Sequence, residues 1–267
     1  MIIDNNDGKT PTLRSCVIAE QGYTFISLDA SQIELRVLAN LSQDQRMLED
    51  LRTGDLHRGT ALRIYGMPTE DEAREVLVDA TQEQIDIWIA DTFKVLRHKA
   101  KQGNFANVYG ADEYVLATTL DCSVEEALEF QKEHRKTYPR LYEWMEEEKA
   151  RVKEQGYVIN QYGRIRPLLE LQDDNWRIRE KAEKEIINTL IQGTAVDTVK
   201  LAMLALRKIY PKEVRLVLQV HDEILWEVPD SLVKECLDNA GVLAIMFKDY
   251  PFTIKVGRVY SELEEVK

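Results

Sequence analysis

Arg97, Lys101, Phe105 and Tyr109 recur every four residues in R-H-K-A-K-Q-G-N-F-A-N-V-Y-G, residues 97–110. Read as a helix, the stretch places all four on one slowly turning face, two cations toward one end and two rings toward the other. A helix N-terminus favours anions, and Arg and Lys strengthen that preference for phosphate. Aromatic faces suit a flat base or sugar. The face therefore matches a nucleotide, with phosphates at the cationic end. A basic amphipathic helix with its rings in a core is the competing reading of the same spacing.

Carboxylates supply the second signal. Asp29 ends an apolar run, Tyr23–Leu28, and is followed by A-S-Q-I-E-L-R-V-L-A, where Ile33, Val37 and Leu38 give a helical stripe. Asp222 lies between the alternating segment Val214–Val220 and a second strand-like run, Ile224–Val228, with His221 before it and Glu223 after. If strands from opposite ends of the chain share a sheet, Asp29 and Asp222 come together. Two adjacent carboxylates are costly unless protonated or bridged by a cation. Hard oxygen ligands with room for water and phosphate suit Mg²⁺. Turn chemistry alone also accounts for His-Asp-Glu between two strands.

The elements that position these residues follow from the pattern. Residues 1–13 read as a turn-rich lead-in, then Cys16–Ala19 and Tyr23–Leu28 as short strands about a turn. Residues 43–96 read mostly as helix, broken at Gly54 and at Gly66-Met67-Pro68. Ser123-Val124-Glu125-Glu126 is a capping-box pattern, Pro139 restarts a helix, Tyr157–Arg166 reads as a hairpin about Gly163, and a helical region runs from about Asn175 to Ile209 with a possible break at Gly193. Ser231–Phe247 reads as an amphipathic helix and Phe252–Gly257 as a last strand. The expected architecture is α+β: an antiparallel sheet built from both ends of the chain, with packed helices and a large helical insertion.

The 267 residues, 44% hydrophobic and 31% charged, suffice for one large or two small domains with a real core. No apolar run looks long enough to cross a membrane, and no signal-peptide pattern follows Met1. Cys16, Cys122 and Cys236 are too scattered for a CxxC metal site or a disulfide framework, which fits a cytosolic setting. The net charge of −12 argues against a protein that coats nucleic acid, but not against an enzyme with its bases on one face.

Three motifs carry a resemblance to a known family. D-A-S-Q-I-E-L-R-V-L-A (29–39) resembles motif A of the A-family DNA polymerases, residues 97–110 resemble motif B, and Q-V-H-D-E (219–223) resembles motif C. T-G-D-L-H (53–57), N-T-L-I-Q-G-T-A-V-D (188–197), the hairpin ending in G-R-x-x and Val256-Gly257 are smaller matches. The resemblance implies a DNA-directed DNA polymerase, with palm at 1–40, fingers at 41–175 and palm again at 176–267. It implies that Asp29 and Asp222, helped by the Ala30 carbonyl and secondarily by Glu223, hold two Mg²⁺ ions, for which Mn²⁺ can substitute. Arg97, Lys101, His57 and Gln32 would meet the triphosphate, Phe105 the sugar, Tyr109 the base, and Glu34 would exclude ribose. Asn188, Gln192, His221, Lys184 and Arg164 would contact primer and template.

The departures are Ala30 for an aromatic residue, Ala106 for glycine and Lys184 for arginine. The T-x-T-G-R-x-S-S-like segment and the thumb that precede motif A in the family have no counterpart before Asp29. The chain is expected to be the palm–fingers part of a split or truncated polymerase, and the expected partners are primer–template DNA, deoxynucleoside triphosphates and, for the split case, a separate polypeptide supplying the thumb and upstream segment, in the cytoplasm of a bacterial or phage-infected cell, with no membrane. A non-catalytic, polymerase-derived module that binds nucleic acid or protein is the alternative. A nuclease is a third reading, one that has no need of the Phe105–Tyr109 surface.

Overall fold

A computed structural model describes residues 12–266, so most of the expected lead-in lies outside the described residues. The chain forms two compact units, residues 1–37 with 191–267, and residues 38–190. The first contains a five-stranded antiparallel sheet. Its strands are β1 (Tyr23–Ala30), β4 (Arg215–Val220), β5 (Glu223–Pro229), β6 (Phe252–Gly257) and β7 (Glu264–Glu265), in the order β4-β5-β1-β6-β7. The N-terminal strand is thus central and pairs on both sides with C-terminal ones, Asp29 opposite Glu223 and opposite Thr253. Phe25, Ile26, Leu28, Ile224, Leu225 and Trp226 are buried, giving near-continuous apolar runs in the two inner strands.

The second unit is helical. Its elements are α1 (Ile33–Ser42, shared with the first unit), α2 (Gln45–Arg52), α3 (Leu56–Ile64), α4 (Glu70–Val76), α5 (Gln82–Val108), α6 (Glu113–Leu120), α7 (Val124–Thr137), α8 (Pro139–Gln155) and the hairpin β2 (Tyr157–Ile159) and β3 (Ile165–Pro167). Capping boxes open α4 at Thr69, α5 at Thr81 and α7 at Ser123, and Pro139 occupies the first turn of α8. The helix α9 (Trp176–Ile209) belongs to both units and runs through Gly193 without a break.

Several expectations are corrected. The strand expected over Cys16–Ala19 is a 3-10 turn at Leu13–Cys16 and a single bridge from Ile18 to Val259, because the nearest pairing partner is the far end of the chain. The expected helix Ser231–Phe247 is two, α10 (Val233–Ala240) and α11 (Val242–Met246), divided at Gly241. By length and composition alone α9 could span a bilayer, but half of its most apolar window is buried in protein, as in a core helix. The largest correction concerns α5. It starts at Gln82, so Arg97 lies about four turns inside it and gains nothing from the helix N-terminus.

Close packing fixes α5 against α7. A Cβ on Gly103 would lie 2.3 Å from the Phe130 ring, whose neighbours Leu116, Leu120 and Ala127 are also buried. Gly103→Ala is expected to destabilise the chain by about 1–3 kcal/mol through overpacking, although alanine is the better helix former. Urea unfolding tests this; a midpoint at or above the parent's would show that Phe130 moves aside freely.

Candidate active site

The sheet unit brings the two carboxylates together. Asp29 is the penultimate residue of β1, and Asp222 sits in the two-residue connection between β4 and β5. The Ala30 N–H donates to the Asp222 carbonyl at 3.1 Å, which ties the two segments side by side. His221 has a positive φ of 53°, as the first position of a tight two-residue hairpin requires. Gln32 is likewise left-handed, with φ 51°, where β1 turns into α1. Non-glycine residues in this region store backbone strain, and both flank the carboxylate pair.

Asp29 holds its proton more tightly than an ordinary aspartate. Burial is the main cause and the charge of Asp222 the second, with Lys255 and Arg14 opposing them. Neither carboxylate makes a side-chain hydrogen bond or ion pair among the described residues. Glu223 differs. Its Oε1 accepts from the Ser27 hydroxyl at 2.6 Å, its Oε2 from the Tyr260 hydroxyl, and Arg14 stands 3.6 Å away. It is a buried brace between β5, β1 and the Tyr260 turn. Strand alternation is the reason: one residue past the turn, the side chain enters the core.

The residue types fit a hard divalent cation. Two like-charged carboxylates stand together, and burial first, then the charge of Asp222, raises the proton affinity of Asp29. Among the described residues no group of three or more His, Cys, Asp or Glu is placed to hold a metal ion, and what the sheet unit offers a cation is the pair of carboxylates. That leaves room for water and phosphate, which suits Mg²⁺.

The helical unit assembles the other set. Phe105 and Tyr109 stack with centroids 6.2 Å apart and planes 16° from parallel, and His57 lies 5.8 Å from Phe105. Asp55 caps α3, just before His57, and accepts from Arg97 Nε on α5. Burial pushes the Asp55 carboxyl up, but the Arg97 and Arg58 hydrogen bonds and the nearby positive charges leave it lower overall. Lys101 is exposed and has no ion pair among the described residues. His98 is exposed and His134 is buried. Lys184 packs its stem against Gly110, which follows Tyr109 with φ 73°, and pairs with Glu180. Asn188 buries an amide oxygen with no partner among the described residues, an acceptor awaiting a donor. Arg164 is exposed in the β2–β3 turn. In the sheet unit Gln192 and His221 are exposed, and Glu34 is half-buried in the first turn of α1.

Sequence reasoning missed Asp50, Thr60 and Asn104, buried polar residues behind His57. Only Asn104 lay inside a motif, and its type at that spacing gave no signal of its partners.

An antiparallel sheet with paired carboxylates and a helical unit with a cationic, aromatic helix face define the class of polymerase domains. The solved polymerase domain of Pol1 from M. smegmatis, in complex with DNA primer-template and dNTP, superposes with a TM-score of 0.76 and 29% identity over 93% of this chain and 42% of that one. The family description "DNA polymerase family A" is matched over residues 2–257, and the chain belongs to that family. It is 34% identical to the thermostable DNA polymerase I of Thermus thermophilus over 92% of this chain, and 33% identical to DNA polymerase I of Pseudomonas aeruginosa, again over 92%. It spans 28% and 25% of their respective lengths.

Proposed function

We propose that this chain carries template-directed addition of deoxynucleotides to a primer 3′-hydroxyl, with the sheet unit as palm and the helical unit as fingers. The observation that carries the reading is the juxtaposition of Asp29 and Asp222 on paired segments from opposite ends of the chain. Asp29, Asp222 and the Ala30 carbonyl would hold two Mg²⁺ ions. Bound there, the ions supply a more acidic primer hydroxyl and charge neutralisation at the leaving pyrophosphate.

The remaining roles belong to side chains. Lys101 and Arg97 place positive charge where the triphosphate lies, Arg97 held in position by Asp55. The stacked Phe105 and Tyr109 offer sugar and base a rigid aromatic surface. Gln32 would face the nucleotide phosphates. Asn188, Gln192, His221, Lys184 and Arg164 would contact the duplex, whose minor groove offers similar acceptors at every correct pair. The same reading includes a separate polypeptide that supplies thumb contacts. Its support is the net charge of −12, since phosphate contacts dominate duplex affinity. A monomer that holds primer–template tightly at physiological salt, with no added protein, would remove that part.

Primer extension with one labelled deoxynucleotide tests the whole. Template-dependent addition supports the reading; cleavage without addition would favour a nuclease, and binding alone a non-catalytic module. Glu34 gives a sharper test of substrate class. Glu34→Ala is expected to narrow the preference for deoxy- over ribonucleotides by about ten- to a hundredfold, the range that one steric or polar contact commands. Unchanged rejection of ribonucleotides would end its role as the sugar gate.

A further inference from the structure

Behind His57 lies a chain of buried polar groups: Asp50, Thr60, Asn104, His134 and Tyr138. Its protons can be followed one by one, because a hydroxyl has one and a carboxylate or carbonyl none. Arg63 and the Tyr138 hydroxyl both face Asp50. Burial raises the Asp50 carboxyl overall, against Arg63 and Tyr138, which favour its charged form; the Arg63 ion pair is the geometry of the ionised group. Ionised, it can only accept, so Tyr138 directs its proton to Asp50 Oδ2, 3.0 Å away. The tyrosine oxygen is then an acceptor for Thr60 Oγ1 at 2.9 Å, and the Leu56 carbonyl is another at 3.0 Å. Thr60 gives its proton to one of these two. Any third group that meets Thr60 must itself donate.

That group is Asn104, whose amide nitrogen lies 3.0 Å from Thr60 Oγ1. The same nitrogen lies 3.0 Å from His57 Nδ1. With one amide hydrogen on each, His57 Nδ1 is an acceptor and the ring proton sits on Nε2. The far side agrees. Asn104 Oδ1 is 3.0 Å from His134 Nε2, which must carry a proton, and His134 Nδ1 then accepts from the Tyr142 hydroxyl at 2.8 Å. A flipped amide would set its oxygen against a Thr60 that has no proton to give.

We propose that Asn104, oriented by the Thr60–Tyr138–Asp50 chain and by His134, is a positioning residue that locks His57 in its Nε2–H tautomer, so that His57 presents one fixed N–H donor to the nucleotide triphosphate. The step from tautomer to triphosphate rests on the polymerase reading. Two observations support it. His57 is 3% exposed, and its Nε2 has no hydrogen bond among the described residues and is not one of the unpaired atoms wholly cut off from solvent, so a donor remains at that nitrogen. Burial pushes His57 down to about 4, Asp55 pulling up and Arg97 and Lys101 down, and burial pushes His134 down to about 3. Both rings are neutral at pH 7, so the network sets where a proton sits, and charge is not in question.

The test is long-range ¹H–¹⁵N spectroscopy of the imidazoles in the ¹⁵N-labelled full chain, at pH 7, without nucleotide or DNA. There are four histidines to assign. His57 and His134 are both expected to be protonated on Nε2 alone. Asn104→Asp removes the donor to Nδ1, and His57 is expected to gain an Nδ1 proton. His134→Gln keeps a donor toward Asn104 and is expected to keep the parental His57 tautomer. In primer extension Asn104→Ala is expected to raise the KM for the deoxynucleoside triphosphate about tenfold, with kcat within about threefold. A parental His57 protonated on Nδ1, or on both nitrogens, at pH 7 would overturn the proposal, and so would an Asn104→Asp chain that folds with the parental tautomer. If a variant does not fold, the parental spectrum decides. The expected tautomer in a chain that never extends a primer counts against the polymerase reading and leaves the lock standing.

Discussion

Asp222→Ala is expected to lower nucleotide addition by at least about a thousandfold, since several kcal/mol of charge stabilisation depend on the carboxylate pair. The fold should be untouched, because the Asp222 side chain makes no hydrogen bond or ion pair among the described residues; only its backbone carbonyl is used, by Ala30. Asp29→Asn should abolish addition to a similar extent and, in metal-free buffer, raise the melting temperature. The sign follows from linkage. The folded Asp29 binds its proton more tightly than the unfolded chain, first through burial and then through Asp222, so ionisation costs stability. That cost is absent below the unfolded value, 3.8, grows as pH rises through the window up to the folded value, and is complete above it. The gain from Asp29→Asn should therefore appear at pH 7 and fade toward pH 4. Mg²⁺ should stabilise the parent and not the variant. Melting curves for both proteins across that range decide it. A variant no more stable than its parent at pH 7, or one that still extends a primer, would show that the two carboxylates are not a metal-seeking pair.

The carboxylate pair was legible in the sequence because Asp29 lies at the end of an apolar strand and Asp222 between two strand-like runs, and strands from the two ends of one chain have a sheet as their natural meeting place. The face of α5 was legible because its four residues keep helical spacing. The start of that helix was not legible from the spacing of residues 97–110 alone; its signal is Thr81 with Gln84, a capping box. Asp222 and Glu223 could not be told apart by adjacency. Their difference lies in which side of the β5 pleat each faces, and in Ser27 and Tyr260, distant in sequence. The network behind His57 was illegible for the same reason. His57 and His134 meet Asn104 from helices far apart in the chain, and no periodicity marks such a meeting. Local pattern shows which side chains share a face; it does not show which faces close on one another.

Lys101→Ala should separate nucleotide handling from stability. Lys101 lies on the middle of α5, exposed and without an ion pair among the described residues, so its removal should change unfolding free energy by less than about 0.5 kcal/mol. Its charge is uncommitted in the fold and available to an anion, whereas the neighbouring cation on the same face, Arg97, is held by Asp55, which also caps the helix that carries His57. Loss of one preorganised donor to a developing negative charge costs about a hundred- to a thousandfold, and Lys101→Ala is expected to lower kcat/KM for the incoming nucleotide by that amount. Arg97→Ala should lower it too but also destabilise the chain, since Asp55 would keep its carboxylate and lose its guanidinium. Lys101→Arg should recover part of the loss through charge alone, and only part, because a planar fork does not reproduce a compact ammonium. Extension rates over a range of nucleotide concentrations, with urea unfolding of the same preparations, read both quantities. Should Lys101→Ala extend within about fivefold of the parent, the cationic end of the α5 face does not hold the triphosphate, and the amphipathic-helix reading of residues 97–110 regains its place.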